Sequence, residues 1–419
     1  MDPASSVTSN PLDVAAPSLY LDGIPHDRFA AMRAAPGLTW HPYDEGGFWA
    51  VTRHGDVRAV SRNPAIFSSG IGHTNLWDLE ADALEARRSL IDTDAPTHTR
   101  LRRIVSRHFT PRSTARFTAV TRAIAAELLD GFVASGGGDW VRAVAAPLPI
   151  RVIMLILGIP EADADHLVEL SDHLVDGTGD RPTLPPDAFG NTTPLRLLPF
   201  GSAASHALFV YGEELGERRR AAPAADLVTE LVRAADGGGL SPAEYRNFFH
   251  LLVFAGNETT RTALVHGALA FAEHPEQLRL LRHRPELLDG ATEEVLRWAT
   301  PVLHMRRTAR RDTALAGTAV SAGDKVVMWY ASANRDPEAF DDPFRFDVSR
   351  SPNEHFAFGG GGHHFCLGAS LARMEIRVLL EELLKRRIGL RAAGAPRRIA
   401  SNFVHGVASV SMQPVEPDP

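Results

Sequence analysis

Apolar residues recur at intervals of three and four along most of the chain, the spacing that gathers them on one face of an α-helix. The clearest case follows Ser241-Pro242-Ala243-Glu244, where S-x-x-E is the capping-box pattern of a helix start. The helix it opens is predicted to run to about Glu273, ~30 residues or roughly 45 Å at 1.5 Å per residue. Another is predicted from Asp94-Ala95-Pro96-Thr97 through His108, and Thr110-Pro111 reads as the N-cap and first position of the next. Leu371, Met374 and Val378 mark one more, beginning after Gly368. Only FWAVTRH (48–54) and KVVMWY (325–330) alternate in the manner of strands. Residues 177–203, rich in Gly and Pro, break every period. Residues 1–16 are expected to be frayed and 413–419 to form a disordered tail. The fold class that follows is mainly α: one large helical domain over residues 17–412 with small β-sheets.

The longest apolar stretch, Phe248 to Phe271, is interrupted at its centre by Asn257, Glu258, Thr259, Thr260 and Arg261. A membrane span does not carry such a cluster, so a long buried helix is expected and no membrane anchor. The 419 residues suggest about three domains by length, but no linker-like segment divides them. Charge changes the picture more: 44 basic against 51 acidic residues give a net −7, which argues against a nucleic-acid partner. The single cysteine, Cys366, removes any internal disulfide framework and fits a reducing cytoplasm. The start MDPASSVTSNPLD has neither a basic nor an apolar signal region, so a cytoplasmic location is expected.

Candidate chemistry concentrates in two places. In FGGGGHHFCLG (358–368) Cys366 precedes a helix, where free backbone N–H groups favour a thiolate. Four glycines allow the backbone to lie flat against a ligand, and such a thiolate suits haem iron. Taken alone, the cysteine could equally be a small buried hydrophobe, or a zinc ligand with His355, His363 and His364, although no CxxC partner exists. The second place, Ala255-Gly256-Asn257-Glu258-Thr259-Thr260, sits in the middle of the long predicted helix. Gly256 is expected to leave room for a diatomic ligand. Thr259 is expected to bond back to the carbonyl of Ala255, loosening the helix there. Glu258 beside Thr259 reads as a proton-delivery pair. A solvated polar face fits poorly, because LLVF precedes and ALVHGALAF follows.

Together these segments resemble the cytochrome P450 family, haem-thiolate monooxygenases, over residues 20–412. Glu294-Val295-Leu296-Arg297 matches the E-x-x-R pair of that family, and Pro343-Phe344-Arg345-Phe346 supplies a second arginine. The resemblance implies the P450 fold, with Glu294, Arg297 and Arg345 as a structural triad. It implies one haem b with Cys366 as the iron ligand, O2 as co-substrate, and NAD(P)H electrons passed by a ferredoxin reductase and a ferredoxin. Ala255, Gly256, Phe358, Gly359 and Gly368 would contact the haem. At 100° per residue His98, Arg102, Val105 and Phe109 share one helix face, and the resemblance gives His98, Arg102, Arg307 and His364 to the haem propionates. Arg100, Arg103 and Arg107 lie opposite, as a solvated face or as a docking patch for an acidic ferredoxin.

The loop departs from the usual pattern in one respect. Gly359 stands seven residues before the cysteine, where the family has Phe, and Phe358 stands eight before, so the loop is one residue longer. This form, with AGNETTR, RWATPV, RRTARRD and SANRDP, resembles bacterial members that hydroxylate lipid and steroid side chains. The implied reaction is hydroxylation of a C–H bond of a hydrophobic lipid, steroid or terpenoid-like molecule by a monomeric enzyme. Pocket candidates are Ile71, Leu76, Leu252, Phe254, Val302, Leu303, Met305, Phe403 and Val404 with the 177–203 segment, although apolar residues also fill ordinary cores. The alternatives are a tailoring oxidase for a compact polycyclic, aromatic or carrier-bound substrate, a peroxide-driven peroxygenase, and a non-catalytic recruitment module.

Overall fold

The structure, a computed structural model, describes residues 11–43, 46–176 and 184–416. Its axis is the helix Pro242–Glu273, 32 residues long. Ser241 accepts the Glu244 N–H while the Glu244 carboxylate accepts the Ser241 N–H, so the capping box is formed from both sides. Phe248, Phe249, Val253, Ala263, Val265, Ala270 and Phe271 are buried along this helix. The helices Pro147–Leu157, Ala203–Ala221, Leu288–Ala299 and Ala369–Lys385 pack around it. Burying each large apolar side chain contributes about 1.5–3 kcal/mol, and apolar residues on all sides let the helix run through the core. No described helix is long and apolar enough to cross a membrane.

The largest sheet has the strand order Thr39–His41, Phe48–Val51, Lys325–Trp329, His304–Ala309, Phe67–Ser68. Its middle strand, Lys325–Trp329, is buried at all five positions, which explains its near-continuous apolar run. It pairs parallel with Phe48–Val51 and antiparallel with His304–Ala309. Alternation along His304–Ala309 sends Met305 and Arg307 to the central cavity, while Arg306 reaches Asp78 at 2.6 Å on the other side.

Several expected boundaries move. The 48–54 strand ends at Val51, and the helix His54–Ser61 follows at once. The helix expected over 94–108 is α-helical over Thr97–Val105 and continues as a 3-10 turn to Phe109. Thr110 does cap the helix Pro111–Ala115, accepting the Ser113 N–H. Residues 1–10 lie outside the described residues, but Val14 and Ala15 are buried, packed with Tyr20 and Phe29, so the expected frayed start does not extend that far. The expected tail is likewise shorter. Ser411–Val415 is a strand paired with Gly389–Ala392 and Gly138–Asp139, because its N–H and C=O groups complete that sheet. Of the 177–203 segment, 177–183 lie outside the described residues, and the remainder holds short 3-10 turns at Ala188–Gly190, Leu195–Leu197 and Pro199–Gly201.

Candidate active site

Cys366 sits at the end of a loop wound by glycines. Its N–H donates to the Phe358 carbonyl at 3.0 Å, and Gly359 turns the chain with φ +84°. A side chain is strained at that angle, so the glycine found where the family has Phe is what closes the longer loop. Phe358 stays buried beside it, with the Arg373 guanidinium 4.5 Å over its ring. The sulfur opens onto an internal cavity that Phe358, Gly359, His364 and Gly368 also line. Burial pushes the Cys366 thiol up, opposed by the Gly368 and Ala369 N–H groups and the charges of Arg102 and Arg373. His355 contacts Glu293 at 3.2 Å, which takes it out of the zinc alternative.

Four basic side chains gather at the same cavity. His98 and Arg307 are buried, the His98 and His364 rings lie 4.2 Å apart, and Arg102 donates to the Phe365 carbonyl at 2.8 Å. Arg307 donates to the Arg306 carbonyl at 2.7 Å, and His98 Nε2 is buried with no hydrogen-bond partner. Burial and the neighbouring Arg102 charge push His98 down to about 4, and burial with Arg307 pushes His364 down to about 3. The nearest acid, Asp94, is already held by Ser68, Ser69, Gly70 and Arg310. Buried guanidiniums without a carboxylate among the described residues are costly, so the cluster is built for an anion. The two propionates of a haem fit it, with Cys366 on the same cavity to reach the iron.

Across the cavity, the central helix presents Ala255, Gly256, Glu258 and Thr259. Thr259 Oγ1 donates to the Ala255 carbonyl at 2.8 Å, as its spacing predicts. The helix runs unbroken through this turn. Glu258 is 1% exposed, with its carboxylate 3.5 Å from both Arg261 Nη1 and Thr262 Oγ1, and Arg261 also pairs with Asp172. Gly256 lines the cavity as expected, and a Cβ there would lie 3.0 Å from Ile153 of Pro147–Leu157, which lines the cavity too.

The expected structural triad forms with a different third member. Arg297 donates to Glu294 at 2.8 and 2.7 Å, both side chains fully buried. The second guanidinium on Glu294 belongs to Arg350, at 3.2 Å, and not to Arg345. Phe346 is buried between Phe271 and Trp298, which turns the adjacent Arg345 outward, and only its carbonyl joins the network. Five residues after Arg345, Arg350 comes back to the acid. Nothing local in the sequence marks Arg350 over Arg345; the packing of Phe346 decides between them.

Leu252, Phe254, Val302, Met305, Phe403 and Val404 line the cavity as expected, and an antiparallel bridge joins Val302 to Val404. Three expected members do not. Ile71 is 44% exposed on the surface. Leu76 and Leu303 are fully buried in a separate core cluster with Phe48 and Trp329, because each faces away from its cavity-lining neighbours Trp77 and Val302. Sequence reasoning missed Tyr330, Leu251, Phe248, Asn247 and Arg87, all of which line it. The first four follow from extending the strand and helix faces already recognised; Arg87 has no sequence signal. On the outer face of Thr97–Val105 and its extension, Arg100 pairs with Glu244 and Arg107 with Glu230, while Arg103 is exposed.

Comparison with known proteins agrees with this geometry. Residues 209–387 match the profile of the family described as Cytochrome P450. The sequence is 41% identical over 401 residues to a methyl-branched lipid omega-hydroxylase of Mycobacterium tuberculosis (strain ATCC 25618 / H37Rv), covering 93% of this chain and 91% of that one. It is 37% identical over 409 residues to a steroid C26-monooxygenase of the same strain, covering 94% of this chain and 90% of the relative. A solved Mycobacterium marinum cytochrome P450 in complex with pseudoionone superposes with a TM-score of 0.86 at 38% identity, covering 98% of this chain and 100% of that one. With a cysteine loop, an unpaired basic cluster and an acid–alcohol pair converging on one cavity, the chain belongs to the cytochrome P450 family of monooxygenases.

Proposed function

We propose that this chain binds haem b through Cys366 and hydroxylates the aliphatic end of a hydrophobic, lipid-like molecule, with electrons from a ferredoxin. The observation that carries the reading is the cavity itself. Besides Cys366 and Thr259, its lining includes the apolar side chains Phe248, Leu251, Leu252, Val302, Met305 and Phe403. Bulky apolar walls along the cavity suit a chain that enters end-on. The relatives named above, by name a methyl-branched lipid omega-hydroxylase and a steroid C26-monooxygenase, support the same class.

When bound, haem supplies dioxygen activation and stores the electrons. The chain's own residues hold, orient and exclude. Cys366 holds the iron, and His98, Arg102, Arg307 and His364 fix the propionates. The Thr259 hydroxyl, anchored on the Ala255 carbonyl, keeps its oxygen at the cavity wall, where it can pass on a proton. Glu258 replenishes that proton, and Arg261 and Asp172 hold its carboxylate in place. The apolar walls keep bulk water away from this exchange.

Helix Thr97–Val105 lies against the cysteine loop, since Arg102 bonds to Phe365 next to Cys366. Its exposed Arg103 supports ferredoxin docking on that side, in a cytoplasmic, monomeric enzyme. The experiment is product analysis with a methyl-branched fatty acid and a sterol. Terminal alcohols are expected; only mid-chain alcohols, or binding of neither compound, would overturn the reading.

A further inference from the structure

Asn247, Leu251, Ala255 and Thr259 form one four-residue stripe on the central helix, and all four line the same cavity. The cavity therefore follows the helix for twelve residues, about 18 Å at 1.5 Å per residue. Thr259 marks its reactive end. At the other end, Asn247 Nδ2 donates to the carbonyls of Ala86 (2.9 Å) and Arg88 (3.0 Å). These bonds tie the last turn of helix Ala81–Arg87 to the stripe and set Arg87 at that far end, where it too lines the cavity.

Arg87 differs from its neighbours. Arg88 pairs with Glu85, and Arg196 with Glu80 and Asp82. Arg87 has no carboxylate within ion-pair distance among the described residues; its Nε is buried without a partner, and Nη2 has only a 3.4 Å bond to the Leu195 carbonyl. Burial lowers it to about 10, which leaves it charged at neutral pH. Of the described acids near this end, Asp92 accepts from the hydroxyls of Thr74 (3.0 Å) and Ser89 (2.8 Å), and Asp78 is paired with Arg306 and Lys325. The remaining titratable neighbour, His73, is held neutral by burial. A half-buried guanidinium whose Nε is unpartnered and whose Nη2 holds only a long bond to a carbonyl can take one carboxylate in two-point geometry. A doubly charged phosphate would call for a second free cation, and the described residues place none there.

We propose that Arg87 is a specificity-determining residue that anchors the carboxylate of a long-chain acid, whose apolar end then reaches Thr259 and Cys366. This rests on the hydroxylase reading above and narrows it: the substrate is amphipathic, and its charged end is the one farthest from oxidation.

The test uses the full-length holoenzyme titrated with hexadecanoic acid and with its methyl ester, followed by the substrate-induced Soret shift and by calorimetry. The acid is expected to bind roughly tenfold or more tightly than the ester, as a charge-assisted pair would give. Arg87→Leu is expected to bring that ratio to about one, and Arg87→Lys to restore part of it. Equal affinities in the unaltered enzyme, or a preference that survives in Arg87→Leu, would overturn the proposal. The wild-type comparison decides even if the Leu variant fails to fold. Terminal hydroxylation of both compounds with equal affinity would sink the anchor alone, whereas oxidation of neither would sink the hydroxylase reading with it.

Discussion

At Cys366 the Gly368 and Ala369 N–H groups and the Arg102 and Arg373 charges favour the thiolate, yet burial outweighs them and favours the thiol. A metal cation beside the sulfur reverses that balance. The reduced carbon monoxide complex is therefore expected to show the red-shifted Soret band of thiolate ligation, and Cys366→Ser to lack it. Thr259→Ala is expected to retain haem and substrate affinity while diverting electrons to hydrogen peroxide, read as product formed per NAD(P)H consumed. Arg345 and Arg350 separate cleanly. Arg350→Leu removes a nearly buried partner of the fully buried Glu294 and is expected to cost about 1–3 kcal/mol in holoenzyme unfolding. Arg345→Leu, on the surface, is expected to stay within about 0.5 kcal/mol. Cys366, Thr259 and Glu294 were legible because each sits in a short motif with a local reason for its spacing. Arg350 was not, since which arginine reaches the acid depends on where Phe346 finds its ring partners.

At the scale of elements, the central helix was the most legible part, announced by its capping box and all-round apolar pattern. Its packing distance was not. Gly256→Ala sets a tight contact with Ile153 against a helix-propensity gain of about 0.5–1 kcal/mol; it is expected to be more stabilising when combined with Ile153→Val than alone, read as a positive coupling in a double-mutant cycle. The outer face of Thr97–Val105 gives another measurement. Because Arg107 is tied to Glu230, reversal at Arg103 is the cleaner probe of docking. Arg103→Glu is expected to slow ferredoxin-supported turnover and weaken its salt dependence while sparing peroxide-driven turnover; equal loss by both routes would point to misfolding. Helical angles assigned the inward and outward faces of this segment correctly, but not which outward arginines find acids on distant helices.

The whole molecule carries a pH dependence that no single segment reveals. His250 and His304 are held down to about 3 and His266 to about 4, in each case chiefly by burial. Their folded values lie below the ordinary 6.5, so the unfolded chain takes up more protons between the two. Stability is therefore full above about pH 6.5 and falls as pH drops toward 4, each histidine adding at most about 1.4 kcal/mol per pH unit. Thermal unfolding between pH 7.5 and 5 checks this, and His266→Phe is expected to flatten the slope. Such effects depend on burial, which a sequence records only as an average tendency. The sequence by itself determined the helical class, the long central helix and the placing of Glu258 beside Thr259, because each depends on spacing within one element; Cys366 as the expected ligand and the basic residues expected at the propionates came from the family resemblance. Only the tertiary structure decided which arginine completes the Glu294 network, that Gly256 packs closely on Ile153, that Leu76 and Leu303 turn away from the cavity, and that Arg87 lines it with no carboxylate at ion-pair distance among the described residues. These are contacts between elements far apart in the chain, fixed by the packing of whole surfaces.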